Sequence, residues 1–151
     1  MNTFFFRICC LGILSLLLGF SQCKKSYSPT NEILYDKSLD EIKAHITGDW
    51  TLIYGKGGIC GICVQTYSDD FWKITANDSV RIWGSQSQKA NTKINWVKEP
   101  GTFTNGDSTY EMQFNDLQGY PFRYVVDRIE NDTLILHDNS ADAVFYHFVR
   151  R

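Results

Sequence analysis

Short runs of alternating apolar and polar residues recur about every ten positions, joined by turn-length connections, and this predicts a mainly β domain. With no βαβ unit in the chain and with hairpin-sized links between successive runs, the expected architecture is an eight-stranded antiparallel up-and-down β-barrel preceded by one short helix, since closure leaves no edge strand. The composition fits a packed domain. The 151 residues include 10 Phe, 8 Tyr and 4 Trp, with only 3 Pro, which is a globular rather than a disordered balance.

In chain order, Ser38-Leu39-Asp40-Glu41 is a capping box, in which the Ser38 hydroxyl and the Glu41 carboxylate each satisfy a free amide at a helix start. A short helix runs from there to about Ile46, with Leu39, Ile42 and Ile46 on one face. From Trp50 the period changes to two. Extended runs that make about eight strands are expected over 50–54, 64–67, 71–76 and 80–83, then 92–98, 108–115, 122–129, 133–137 and 143–150. Turn residues separate them at Asn77-Asp78-Ser79, Pro100-Gly101, Asn105-Gly106-Asp107 and Asn131-Asp132.

The segment before the helix reads as an address. Arg7, an apolar run from Ile8 to Phe20 and a Ser21-Gln22-Cys23 junction form an export signal over residues 1–22, and the run is too short to span a membrane. Residues 23–37 read as a flexible polar tether, leaving 38–151 as the barrel. A formal net charge of -2 with scattered Lys and Arg gives no footprint for nucleic acid. The Cys23-Lys24-Lys25-Ser26 junction resembles a bacterial lipoprotein junction, and its relaxed form, with Phe20 and Gln22 at positions that usually carry other residues, resembles those of Bacteroidetes. That resemblance implies acylation of Cys23 and a lipid-anchored protein of the cell envelope, on an outer membrane and facing the periplasm or the surface.

A second resemblance covers about residues 38–151. Gly48-Asp49-Trp50 after a short helix is similar to the Gly-x-Trp opening of the lipocalins, and Asp132-Thr133-Leu134-Ile135-Leu136-His137-Asp138 followed by Phe145-Tyr146-His147-Phe148-Val149-Arg150 resembles the ending of lipocalin-like lipoproteins of Bacteroidetes. It implies a calycin-type barrel in which Gly48, Trp50 and Arg150 (or Arg151) close one end, the cation lying over the indole. It also implies a shorter form without the long helix that follows the last strand in animal lipocalins.

The expected inward residues are Trp72, Ile74, Ile82, Trp96, Tyr110, Met112, Tyr124 and Val126. They suit either a filled core or a cleft for a small hydrophobic molecule, because an eight-stranded barrel has room for one or the other. Cys60-Gly61-Ile62-Cys63 lies in a glycine-rich loop. Outside the cytoplasm such a pair is expected as a local disulfide. A redox site would want a helix start, and zinc would want two further ligands that His45, His137 and His147 do not offer at a matching spacing. No catalytic constellation stands out, and no metal or cofactor is expected. The functional expectation is therefore a non-enzymatic, lipid-anchored protein that binds a small hydrophobic ligand. The alternatives are a filled module that docks an envelope protein through Trp83 and the Cys loop, or a thiol-disulfide protein.

Overall fold

The computed structural model describes residues 30–85, 87–103 and 106–151. Cys23 and the export signal lie outside them. The elements are β1 (Asn31–Ile33), α1 (Leu39–Ile46), β2 (Gly48–Gly57), β3 (Val64–Thr75), β4 (Ser79–Trp83), β5 (Gln88–Lys93), β6 (Asn95–Pro100), β7 (Ser108–Asn115), β8 (Pro121–Glu130), β9 (Thr133–His137) and β10 (Val144–Arg150). The helix begins at the expected capping box. Glu41 N–H donates to the Ser38 hydroxyl, and Ser38 N–H donates to the Glu41 carboxylate at 3.0 Å. The turn between β8 and β9 holds Asn131 and Asp132 at φ 49° and 60°, the pair of left-handed conformations a two-residue hairpin needs.

The strands form one curled antiparallel sheet in the order β5-β4-β3-β2-β10-β9-β8-β7-β6. The last strand, β10, pairs with the first long one, β2, from Val144 opposite Gly57 to Arg150 opposite Trp50. This is barrel-like, but it is not the closed eight-stranded barrel expected. Every neighbour in that order is antiparallel, so β5 and β6 run in the same direction, and only Ile94 separates them in the chain. They form one extended segment that changes partner, pairing β4 with its first half and β7 with its second. Ile94 marks the change: its side chain is buried, and its N–H donates to Asp78 O at 2.7 Å. The outer edge of β5 keeps no full partner strand, and a loop contact, Leu117 N–H to Lys89 O at 2.9 Å, partly covers it.

The domain also starts earlier than expected. Residues 31–33 pair with the second half of β8, Asn31 opposite Glu130, and the Leu34 and Tyr35 amides donate to Asp127 O. Leu34 is fully buried. Residues 31–37 are thus part of the fold rather than of a tether. The physical reason is that β7 leaves β8 beyond Val125, which exposes an edge for β1 to fill.

The concave side holds the main core, built from Leu52, Trp72, Ile74, Met112, Leu134 and Phe148 among others. One end is shut by α1, whose Ile42 and Ile46 are buried. Trp50, 1% exposed, donates from Nε1 to Ile46 O at 2.8 Å, and the Arg150 guanidinium lies 4.4 Å from the indole centroid. Gly48 lies under that guanidinium, where a Cβ would stand 2.9 Å from Arg150 Nη1. The convex side of β8 to β10 is also partly covered, because Phe103, beyond the end of β6, lies against His137 and Phe145. That cover explains why His137 is buried although it faces away from the core.

Candidate functional site

The interior is not filled throughout. On the side of Trp72 away from α1 lies a cavity of about 170 Å³, walled by Leu52, Trp72, Ile82, Phe122 and three tyrosines, Tyr67, Tyr124 and Tyr146, with Asp70 and Lys89 beside them. Its shape depends on an irregularity in β3. The β2–β3 register passes from Leu52 opposite Asp70 to Tyr54 opposite Thr66, so three residues of β3 face one of β2, and Asp69 within this bulge sits at φ 65°. A bulge shifts the alternation. It brings both Tyr67 and Asp70 to the cavity, where unbroken alternation would send one of the two outward.

The polar groups of this cavity are few. Lys89 Nζ reaches Asp70 Oδ1 at 2.6 Å. Gly84 makes room for the lysine, since a Cβ there would lie 2.2 Å from Lys89 Cε. The Asp70 side chain is 11% exposed and that of Lys89 51%, so the pair spans the boundary between cavity and solvent. Burial raises the phenol pKa of Tyr124 strongly, and that of Tyr146 to about 12, while Tyr67 is raised by burial and then by Asp70. All three remain neutral hydroxyls at physiological pH and can donate a hydrogen bond. Trp72 is held edge-on by Phe114, Tyr124 and Phe148, which makes it a rigid aromatic wall.

Of the eight residues expected to face a ligand, the structure brings Trp72, Ile82 and Tyr124 to this cavity. Ile74, Met112 and Val126 are packed in the core. Trp96 and Tyr110 pack against it from the side, Trp96 donating from Nε1 to Asp78 at 2.9 Å. Burial works against that Asp78 carboxyl, but hydrogen bonds from Lys43 and Trp96 hold its pKa below the ordinary range. Tyr67, Asp70, Lys89 and Tyr146 are not among the expected residues. Tyr67 and Asp70 flank the Ser68-Asp69 interruption between two β patterns, and that interruption is the one signal the sequence offers. Lys89 lies in a polar stretch with no pattern of its own.

Cys60 and Cys63 stand at disulfide distance, with Cα atoms 5.7 Å apart. They do not line the interior cavity; their loop projects from the β2–β3 hairpin and carries exposed Ile59 and Ile62, with exposed Val64 following at the start of β3. Trp83 is half-buried. Among the described residues no group of three or more His, Cys, Asp or Glu side chains is placed to hold a metal ion, and no helix is long and apolar enough to cross a membrane. No protein-family model, curated protein or solved structure shows a significant match to this chain.

Proposed function

We propose that this is a lipocalin-like, lipid-anchored protein of the bacterial cell envelope that acts without catalysis and holds a small, largely apolar aromatic molecule in the interior cavity. The observation that carries the reading is the cavity itself: about 170 Å³, aromatic on most sides, with three neutral phenols and one ion pair. An apolar cavity of roughly 150 Å³ is known to take benzene, so the volume suits a single ring with a small substituent and not a long lipid. A few polar groups converging on an apolar hollow is the usual composition of a small-molecule site.

The test uses indole and phenol as probes. Titration of the purified protein with each, followed by the Trp72 indole N–H resonance, is expected to give saturable shifts, and native mass spectrometry of freshly purified protein is expected to show a retained adduct. Unmoved Trp72 signals at saturating probe and an adduct-free mass would refute the reading. The anchor is tested separately: Cys23→Ser should abolish incorporation of labelled palmitate and release the protein from membranes.

A docking role for an envelope protein is the second reading. Ile59 at 94% and Ile62 at 83% exposure favour it, because apolar side chains so fully in water mark a contact surface when they cluster. Replacing both with Ser should then abolish capture of that partner without changing stability. A thiol-disulfide role of Cys60 and Cys63 would require loss of activity in Cys60→Ser.

A further inference from the structure

A groove of about 590 Å³, larger than the interior cavity, lies on the convex face. Its floor is β10, through Phe145 and His147, with Lys56 of β2 directly opposite Phe145 in register. Arg128 of β8 and Phe103 of the β6–β7 connection form one wall. The other is made where the glycine-rich Cys loop meets the β9–β10 connection. There Gly58 N–H donates to Ala143 O at 3.1 Å, and Gly57, at φ 121°, leaves no room for a side chain, since a Cβ would lie 2.4 Å from Ala143 O. Gly57 and Gly58 thus let the two connections touch and make one continuous wall.

The lining has a distinct charge pattern. The Lys56 side chain makes no hydrogen bond or ion pair with any described residue, and Arg128 uses Nη1 on Asp127 and Nε on Glu130, which leaves Nη2 uncommitted. Asp142 is the one carboxylate among the lining residues. The His147 ring is held flat on Tyr54, centroids 4.1 Å apart. Phe103, 48% exposed, and Phe145 supply apolar surface beside these cations. A volume above about 300 Å³ is within the ordinary range for small-molecule sites, and cations set beside aromatic walls match a ligand with an acidic head and an apolar body.

We propose that this groove is a second binding site, separate from the interior cavity, for an amphipathic organic monoanion whose apolar body rests on Phe103 and Phe145 and whose carboxylate or sulfonate head lies among Lys56, Arg128 and His147. The ligand is larger than anything the interior cavity accepts, so the two sites are read by different probes. His147 reports on it. Its pKa is lowered by burial and then by the charges of Arg128 and Lys56, with Glu130 acting in the opposite direction. A bound anion offsets those two cations and raises it.

The test compares 8-anilinonaphthalene-1-sulfonate with its uncharged counterpart N-phenyl-1-naphthylamine, which lacks only the sulfonate. Saturable one-to-one binding of the sulfonate is expected, with the neutral probe much weaker. Lys56→Met should weaken the sulfonate about fivefold, the loss of one partly exposed charge contact, and leave the neutral probe unchanged. Phe103→Ser should weaken both. The His147 ring-proton titration should move to higher pH in the bound state, and saturating indole should not displace the probe. Equal affinity for the two probes, no effect of Lys56→Met, an unmoved His147 or displacement by indole would each overturn the proposal.

Discussion

Arg150 joins the two sides of the closed end, and its removal should be measurable. It lies over the Trp50 indole at 4.4 Å, and its Nη2 and Nη1 donate to the His45 and Thr47 carbonyls at 3.0 and 3.4 Å. Those carbonyls lie at the C-terminal end of α1, where a cation is favoured by the helix dipole. A cation–π contact with one partner in water contributes about 0.5–1 kcal/mol, and a charged hydrogen bond at an exposed helix end adds roughly as much again. Arg150→Ala should therefore cost about 1.5 kcal/mol, read as a lower guanidinium midpoint at unchanged m-value and as a fall in Tm of roughly 6 °C for a domain of this size. Arg150→Lys keeps the charge but loses the planar fork that reaches ring and carbonyls together, so it should recover less than half. A loss below about 0.3 kcal/mol for Arg150→Ala, within the scatter of ordinary surface substitutions, or full rescue by Lys, would refute the view that stacking and the bidentate reach hold this end.

Three other perturbations follow from the same geometry. The buried phenols of Tyr124 and Tyr146 keep their protons above pH 10, where an unfolded chain releases them, so the native state binds more protons and stability falls as pH rises from about 10 towards the folded value, about 12 for Tyr146. Each withheld proton steepens that loss by about 1.4 kcal/mol per pH unit, and phenolate absorbance should show a late fraction that appears together with unfolding. Gly57→Ala should destabilise by about 2 kcal/mol or more, from positive φ plus a backbone clash, while Gly61→Ala, whose Cβ would meet nothing within 4 Å, should lose only the conformational part; urea midpoints separate them. Lys89→Met leaves the mostly buried Asp70 carboxylate unpaired and should cost about 1–3 kcal/mol, whereas Lys89→Met with Asp70→Asn should recover most of it, giving a positive coupling in a double-mutant cycle.

The parts of the fold that are legible in the sequence are those in which one local signal decides. The capping box at Ser38 and Glu41, the left-handed Asn131-Asp132 turn and the clean alternation of Tyr110, Met112 and Phe114 each name their own conformation without help from the rest of the chain. Partner choice is not of that kind. The expected strand over 92–98 is one extended segment in the structure too, and nothing in its alternation of Ile94 and Trp96 says that β4 holds the part before Ile94 and β7 the part after it. Nor does Asn31-Glu32-Ile33 have a pattern of its own; it becomes a strand because β7 departs from β8 and leaves an edge.

The same distinction governs the two hollows. Trp72, Ile82 and Tyr124 are readable because period-two alternation reports the inner face. Tyr67, Asp70 and Lys89 are not, because the bulge at Asp69 reverses the parity of β3 and β5, one strand beyond its neighbour β4, must then supply the cation. The convex groove is least readable of all, for its lining comes from β2, β8 and β10 and from three separate connections. His147, Phe145 and Lys56 occupy outward positions, where alternation predicts ordinary solvated residues. They form a concave surface because Phe103 lies over the sheet and Gly57 lets the Cys loop meet Ala143. The glycines and cysteines that stand out in the sequence therefore act less as a chemical motif than as the contact that turns an outer face into a concave one. Removing that contact with Gly57→Ala should weaken the sulfonate probe and leave indole binding inside the sheet intact.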